Sequence, residues 1–162
     1  MKAIILNILL FSTIISFAQT NPLAAFDNLV GSSWVSEGKQ LGGFDGKTVY
    51  KIESGLEGKI IKVATYATDP KTKEFGLRNE GIRAYDAGQK TIKFYEFDKL
   101  GGTTIGEVII ENKNMHFVYM YQGMELRDSW IYETEDQYRF IVGTWENGDW
   151  KQKFHETLLV RE

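Results

Sequence analysis

Histidine chemistry in this chain must pass through two residues, His116 and His155, the only imidazoles among 162 residues. They fall on separate strand-like stretches with no clustered carboxylates, which is poor spacing for zinc. Cysteine is absent, so thiolate metal sites and cysteine nucleophiles are excluded, and the fold must hold without disulfides. Asp128-Ser129-Trp130 and Ser32-Ser33 offer hydroxyls, but no histidine is near either in the sequence pattern, so no serine triad is expected. Gly101-Gly102 lacks the strand-to-helix setting of a phosphate loop and reads as a turn.

Arginine and tyrosine carry more information. Arg78, Glu80 and Ile82 share one parity of a strand-like stretch. Tyr119 and Tyr121 share another with Met115 and Phe117, and Arg127 follows across a turn. Turned inward, these groups would set guanidinium and phenol donors among aromatic rings, a combination that orients a ligand carboxylate or phenol. Turned outward, the arginines would pair with Glu80 and Glu96. Buried polar groups need partners, so Arg78, Glu80, Tyr119, Tyr121 and Arg127 are the candidate ligand-binding set. A cofactor-free isomerase or decarboxylase would use the tyrosines with Arg78, Glu80 or Arg127, and would need a carboxylate of raised pKa in an apolar cavity. His155 alternates with Lys151, Lys153 and Thr157, which predicts an outward, solvated imidazole. Trp34, Trp130, Trp145 and Trp150 can stack on a flat ligand or brace a core, and Trp34 is expected to brace.

The elements that must position these residues are β-strands. About ten stretches rich in β-branched and aromatic residues are expected at 33–40, 47–54, 59–68, 77–86, 90–97, 103–112, 114–121, 126–134, 137–145 and 150–161. Gly-, Asn- and Asp-rich turns separate them, among them Gln122-Gly123 and Asn147-Gly148-Asp149, and these residues accept the positive φ of tight hairpins. No linker is long enough for parallel crossovers, so the pattern is an up-and-down antiparallel meander. Val49-Tyr50-Lys51-Ile52 and the run from Met115 to Tyr121 carry large residues on both faces. Closure into a barrel solves that and removes the edges, and about ten strands enclose a ligand-sized space. Residues 21–30 predict one short helix, with Asn21 as N-cap, Pro22 in the first turn, and Leu23, Phe26, Leu29 and Val30 on one face.

Residues 1–18 read as a secretory leader. Lys2 opens it, Ala3 to Phe17 is nearly all apolar, and Ser16-Phe17-Ala18 sets small residues at a cleavage site before Gln19. This predicts an exported chain, periplasmic or extracellular, with one domain over 19–162 and no membrane attachment after cleavage. The formal net charge of −3 becomes about −4 without Lys2. A mildly acidic, mixed-sign surface gives no electrostatic reason to bind nucleic acid or anionic lipid.

Two ends of the chain resemble the calycins, the lipocalins and their relatives. Gly31-Ser32-Ser33-Trp34 opens the first strand after the short helix, and Arg161 stands in the last. The resemblance implies that Trp34 and Arg161 pair to close the barrel base, and that the interior takes a small hydrophobic molecule. The stretch from Arg78 to Asp86 and Val142-Gly143-Thr144-Trp145 look like small exported bacterial barrels of this type. Ten-stranded nitrobindin-like haem barrels are a weaker likeness, carried by Val35-Ser36-Glu37-Gly38 after the tryptophan and by Phe154-His155-Glu156-Thr157-Leu158. That likeness implies His155 as an iron ligand. The expected function is therefore a lipocalin-like carrier of a small, mostly apolar ligand without a cofactor. Haem binding through His155, the barrel enzyme and a filled structural barrel stand as alternatives.

Overall fold

The computed structural model describes residues 21–36 and 46–162. The expected leader at 1–18 and the end of the first expected strand at 37–40 lie outside the described residues. Ten strands follow in order: β1 (Ser33–Ser36), β2 (Thr48–Gly55), β3 (Ile60–Thr68), β4 (Phe75–Asp86), β5 (Thr91–Asp98), β6 (Thr103–Glu111), β7 (Asn114–Tyr121), β8 (Met124–Thr134), β9 (Gln137–Glu146) and β10 (Asp149–Arg161). Each pairs antiparallel with its sequence neighbours, and β1 pairs with both β2 and β10, so the sheet closes. Tight turns make this possible. Gln122 and Gly123 between β7 and β8 both take positive φ, as do Asn147 and Gly148 between β9 and β10, which matches the right-handed twist of the flanking strands.

The N-terminal helix is shorter and tighter than the sequence predicts. It is a single 3₁₀ turn, Ala24–Phe26, with Phe26 N–H bonded to the Leu23 carbonyl at 2.9 Å and Leu29 N–H to that of Phe26 at 2.8 Å. The apolar spacing explains it. Leu23, Phe26 and Leu29 recur every third residue, which stacks them on one side of a 3₁₀ helix, and all three are buried. They plug one end of the barrel beside Trp34, Tyr138 and Leu159.

Trp34 and Arg161 sit at that plugged end as register partners across β1 and β10. The Arg161 guanidinium lies 5.0 Å over the Trp34 ring, and its Nη2 donates to the Asn28 carbonyl at 2.7 Å and the Glu135 carbonyl at 2.8 Å. The buried indole donates in turn to the Leu29 carbonyl at 3.4 Å. One cation thus ties the turn to the last strand and to the β8–β9 link.

Two interruptions of the ladder decide which side chains reach the interior. The β3–β4 register shifts between Thr65 and Tyr66, so that Tyr66 faces Leu77 while Thr65 faces Asn79, and Arg78 is the extra residue. The β9–β10 register shifts between Lys153 and His155, leaving Phe154 as the extra residue. A bulge reverses the in–out alternation beyond it.

Candidate functional site

The interior next to the plug, with Phe26 and Leu29 in its lining, holds a cavity of about 320 Å³. Its apolar wall includes Ile52, Val63, Phe94, Phe117, Trp130 and Phe140. These residues alternate inward along β2, β3, β5, β7, β8 and β9, and edge-to-face contacts such as Phe94–Phe117 at 5.5 Å and Tyr50–Trp130 at 5.1 Å hold the rings in place. Into this wall the strands insert Arg78, Arg83, Glu96, Asp128, Tyr50, Thr65 and His155. A volume of this size suits a small ligand, with apolar walls for its body and a few polar groups to orient it.

Arg83 on β4 is the strongest feature. It is only 6% exposed, and its Nη2 pairs with Glu96 Oε1 on neighbouring β5 at 3.2 Å. Its Nε and Nη1 have no hydrogen-bond partner, and neither has the buried Thr65 hydroxyl. The guanidinium lies 5.1 Å over the Phe117 ring and 5.7 Å over Phe94. Gly81, two residues earlier on the same face, makes room for it: a Cβ there would come within 2.8 Å of Nη1. Unpaired buried donors are costly, so this guanidinium is set to receive an acceptor.

Asp128 on β8 is the second feature. Tyr119 Oη on β7 donates to its Oδ1 at 3.0 Å. Burial pushes the carboxyl up from 3.8 to about 7, against the opposing pull of the Tyr119 hydrogen bond and the Arg83 charge. Burial, reinforced by the Asp128 charge, also pushes both the Tyr119 and the Tyr50 phenols well above their usual value, so they remain donors.

Of the residues proposed from the sequence, the structure brings Arg78 to the cavity, because the β4 bulge turns it there. There it is held at the rim, its Nη1 2.9 Å from Asp69 Oδ2 and its Nε on the Ala67 carbonyl at 3.2 Å. Tyr119 packs edge-on against Phe94 at 5.9 Å and reaches the site through Asp128. Tyr121 has Tyr119's parity but stands at the strand end, 51% exposed. Glu80 is a correction. It lies beyond the bulge on the outer face, in a separate pocket of about 490 Å³ with Lys51, Glu53 and Lys62. Arg127 is another. It alternates with the inward Asp128, so it points out and lies 4.5 Å over the Trp145 ring.

His155 also reverses its expected orientation. Simple alternation grouped it with Lys151 and Lys153, but the bulge at Phe154 sets it opposite Val142 instead. It lines the cavity with its ring 5.7 Å from Phe140. The fit to haem is nevertheless poor. The space lies at the low end of the range for drug-sized ligands, too small to enclose a whole tetrapyrrole. Its polar lining mixes the carboxyls of Asp128 and Glu96 with the guanidinium groups of Arg78 and Arg83, so charge does not select for the porphyrin's carboxylates. Among the described residues no group of three or more His, Cys, Asp or Glu side chains is placed to hold a metal ion.

The serine expected to lack a histidine does have one. His116 Nδ1 lies 2.7 Å from Ser129 Oγ across the β7–β8 pair, and His116 Nε2 lies 3.6 Å from Glu111 Oε2. The order Ser–His–Glu is that of a hydrolase triad, but Ser129 is wholly buried and His116 is 4% exposed. A nucleophile must meet its substrate, so this contact is a structural hydrogen bond on the outer face of the sheet.

Sequence reading missed Arg83, Glu96 and Asp128 as cavity residues. A signal for two of them was present. Glu96 shares parity with Ile92 and Phe94, and Asp128 with Leu126 and Trp130, so each is a charge on an otherwise apolar strand face. No family model matches the chain, and no curated protein matches it.

Proposed function

We propose that this chain is an exported, lipocalin-like barrel that binds a small, mostly apolar ligand with an anionic or strongly accepting head group in its interior. Export rests on the leader pattern before Gln19. Binding rests on one observation above the rest: a buried Arg83 with two unpartnered N–H groups in an aromatic cavity. The apolar body of the ligand lies along Trp130, Phe140 and Ile52, and its acceptor meets Arg83 and Thr65. Decanoate has this chemistry, and Trp130 in the wall gives a fluorescence readout.

Titrating the mature protein with decanoate is expected to give saturable quenching. Arg83→Met is expected to weaken it about 10- to 100-fold, the worth of a charged hydrogen bond. Native mass spectrometry and an absorbance spectrum of the same sample identify any co-purifying occupant. Absence of saturable binding by decanoate, or equal binding by Arg83→Met, sinks the head-group assignment. A Soret band lost in His155→Ala replaces it with haem.

A further inference from the structure

We propose that the cavity is also a proton-transfer site: Asp128 acts as general base on a carbon next to a ligand carbonyl, and Arg83 holds the enolate oxygen that results. This rests on the reading of the cavity as a ligand site. It adds a reaction and a substrate class, small apolar ketones with an acidic α C–H.

The geometry carries it. Asp128 is the cross-strand partner of Phe117, and the Arg83 guanidinium lies over the same ring. A base and a cation with two unpartnered N–H groups, Nε and Nη1, therefore line the same cavity close to Phe117. Ile52, Val63, Phe94, Trp130 and Phe140 lower the polarity around both groups, which strengthens each. The titratable and charged groups around the cavity that Asp128 lines come from several strands. Tyr119 comes from β7, Tyr50 from β2, Glu96 from β5, Arg78 and Arg83 from β4, and His155 from β10. Glu96 is committed to Arg83 and Arg78 to Asp69. Among the described residues Asp128 is the cavity carboxyl without an ion-pair partner, and Tyr119 donates to it.

The step balances without a cofactor. The α C–H bond breaks and its proton forms an O–H bond on the Asp128 carboxylate. The C–H electron pair becomes the enolate double bond, and the carbonyl π pair moves onto oxygen, where the Arg83 N–H groups stabilise it. Return of a proton to the same carbon gives exchange with solvent, and return to a vinylogous carbon moves a double bond. A base that titrates near neutrality is well matched to this work. Tyr119 is a positioning residue: it fixes the carboxylate oxygen it donates to and leaves the other for the substrate.

The test uses β-tetralone, a compact apolar ketone, with the mature protein in deuterium oxide. Binding is followed by tryptophan quenching and α-hydrogen exchange by proton NMR. Exchange faster than in buffer is expected, rising with pH to a plateau above about 7 as Asp128 ionises. Asp128→Asn is expected to bind β-tetralone within a few-fold of wild type but to lose about 100-fold or more of the exchange rate. Tyr119→Phe is expected to move the pH limb upward, because the lost hydrogen bond had favoured the carboxylate; a merely structural tyrosine would leave the limb in place. Bound β-tetralone with no accelerated exchange overturns the catalytic inference and leaves the ligand site standing. Exchange that survives Asp128→Asn also overturns it. No saturable binding of either β-tetralone or decanoate overturns both readings.

Discussion

Arg161 covers the face of Trp34 at 5.0 Å while its Nη2 closes on two main-chain carbonyls, those of Asn28 and Glu135. One side chain therefore serves as the cation over an indole and as the donor for both a turn and the β8–β9 hairpin. Arg161→Met keeps the aliphatic stem but removes both donations, leaving the Glu135 carbonyl with only the longer bond from the Asn28 side-chain amide at 3.3 Å. It is expected to cost about 1–3 kcal/mol of stability, read as a lower midpoint in urea with an unchanged slope. A midpoint within error of wild type would mean that water replaces the guanidinium freely at this end.

Ser129 and His116 test whether a triad-like contact is structural. Ser129→Ala strands the imidazole Nδ1 beneath the outer side chains of β7 and β8, and an unsatisfied buried group costs about 1–3 kcal/mol. Burial holds the His116 pKa below 6.5, helped by the Arg127 charge and opposed by Glu111. The folded chain thus keeps a neutral ring where the unfolded chain takes a proton. His116 therefore removes stability as pH falls through 6.5 and adds no slope above it. A fluorophosphonate probe is expected not to label Ser129; labelling would show that the contact opens to solvent and acts as a nucleophile.

Asp128 gives a pH dependence of the opposite sense. Its folded pKa of about 7 lies above the ordinary 3.8, so between these values the folded chain holds a proton that the unfolded chain has released. Stability from this group is full below 3.8, falls as pH rises, and levels off above about 7. Asp69 opposes it at the acid end. Its carboxylate accepts from the N–H groups of Lys71 and Thr72 and from Arg78, which pull its pKa down, so its contribution is present above 3.8 and lost on strong acidification. Comparison with Asp128→Asn isolates the first group. The variant is expected to be more stable than wild type at pH 8 by on the order of 2 kcal/mol, and closer to it at pH 4. A constant difference across that range would show that Asp128 is solvated in the folded chain.

The strands were legible in the sequence because hairpin turns and β-branched runs are local signals. Closure was legible because large residues occupied both parities of the same strands. Bulges were not. Nothing in Arg78 or Phe154 announces an unpaired residue, since register is settled by the neighbouring strand. Yet the bulges decide that Arg78 and His155 turn inward and Glu80 outward. Arg127 was misplaced for a simpler reason: its strand carries an inward charge, Asp128, and the neighbouring arginine was the more conspicuous candidate. The Ser129–His116 contact spans thirteen residues of sequence and exists only in the β7–β8 register.

Gly81 is the last position at which the site can be probed without touching a polar group. A Cβ at Gly81 would strike the Tyr95 carbonyl on the paired strand and stand 2.8 Å from Arg83 Nη1, whereas one at Gly76 on the same strand meets nothing within 4 Å. The backbone oxygen cannot swing aside as a flexible side chain can. Gly81→Ala is therefore expected to cost about 1–3 kcal/mol through overpacking and to weaken decanoate by displacing the guanidinium. Gly76→Ala is expected to stay within about 0.5 kcal/mol of wild type with unchanged affinity. If both variants lose affinity equally, strain along β4 and not the place of Arg83 governs binding. If Gly81→Ala is destabilised but binds as wild type does, the guanidinium is not where the ligand's head group docks.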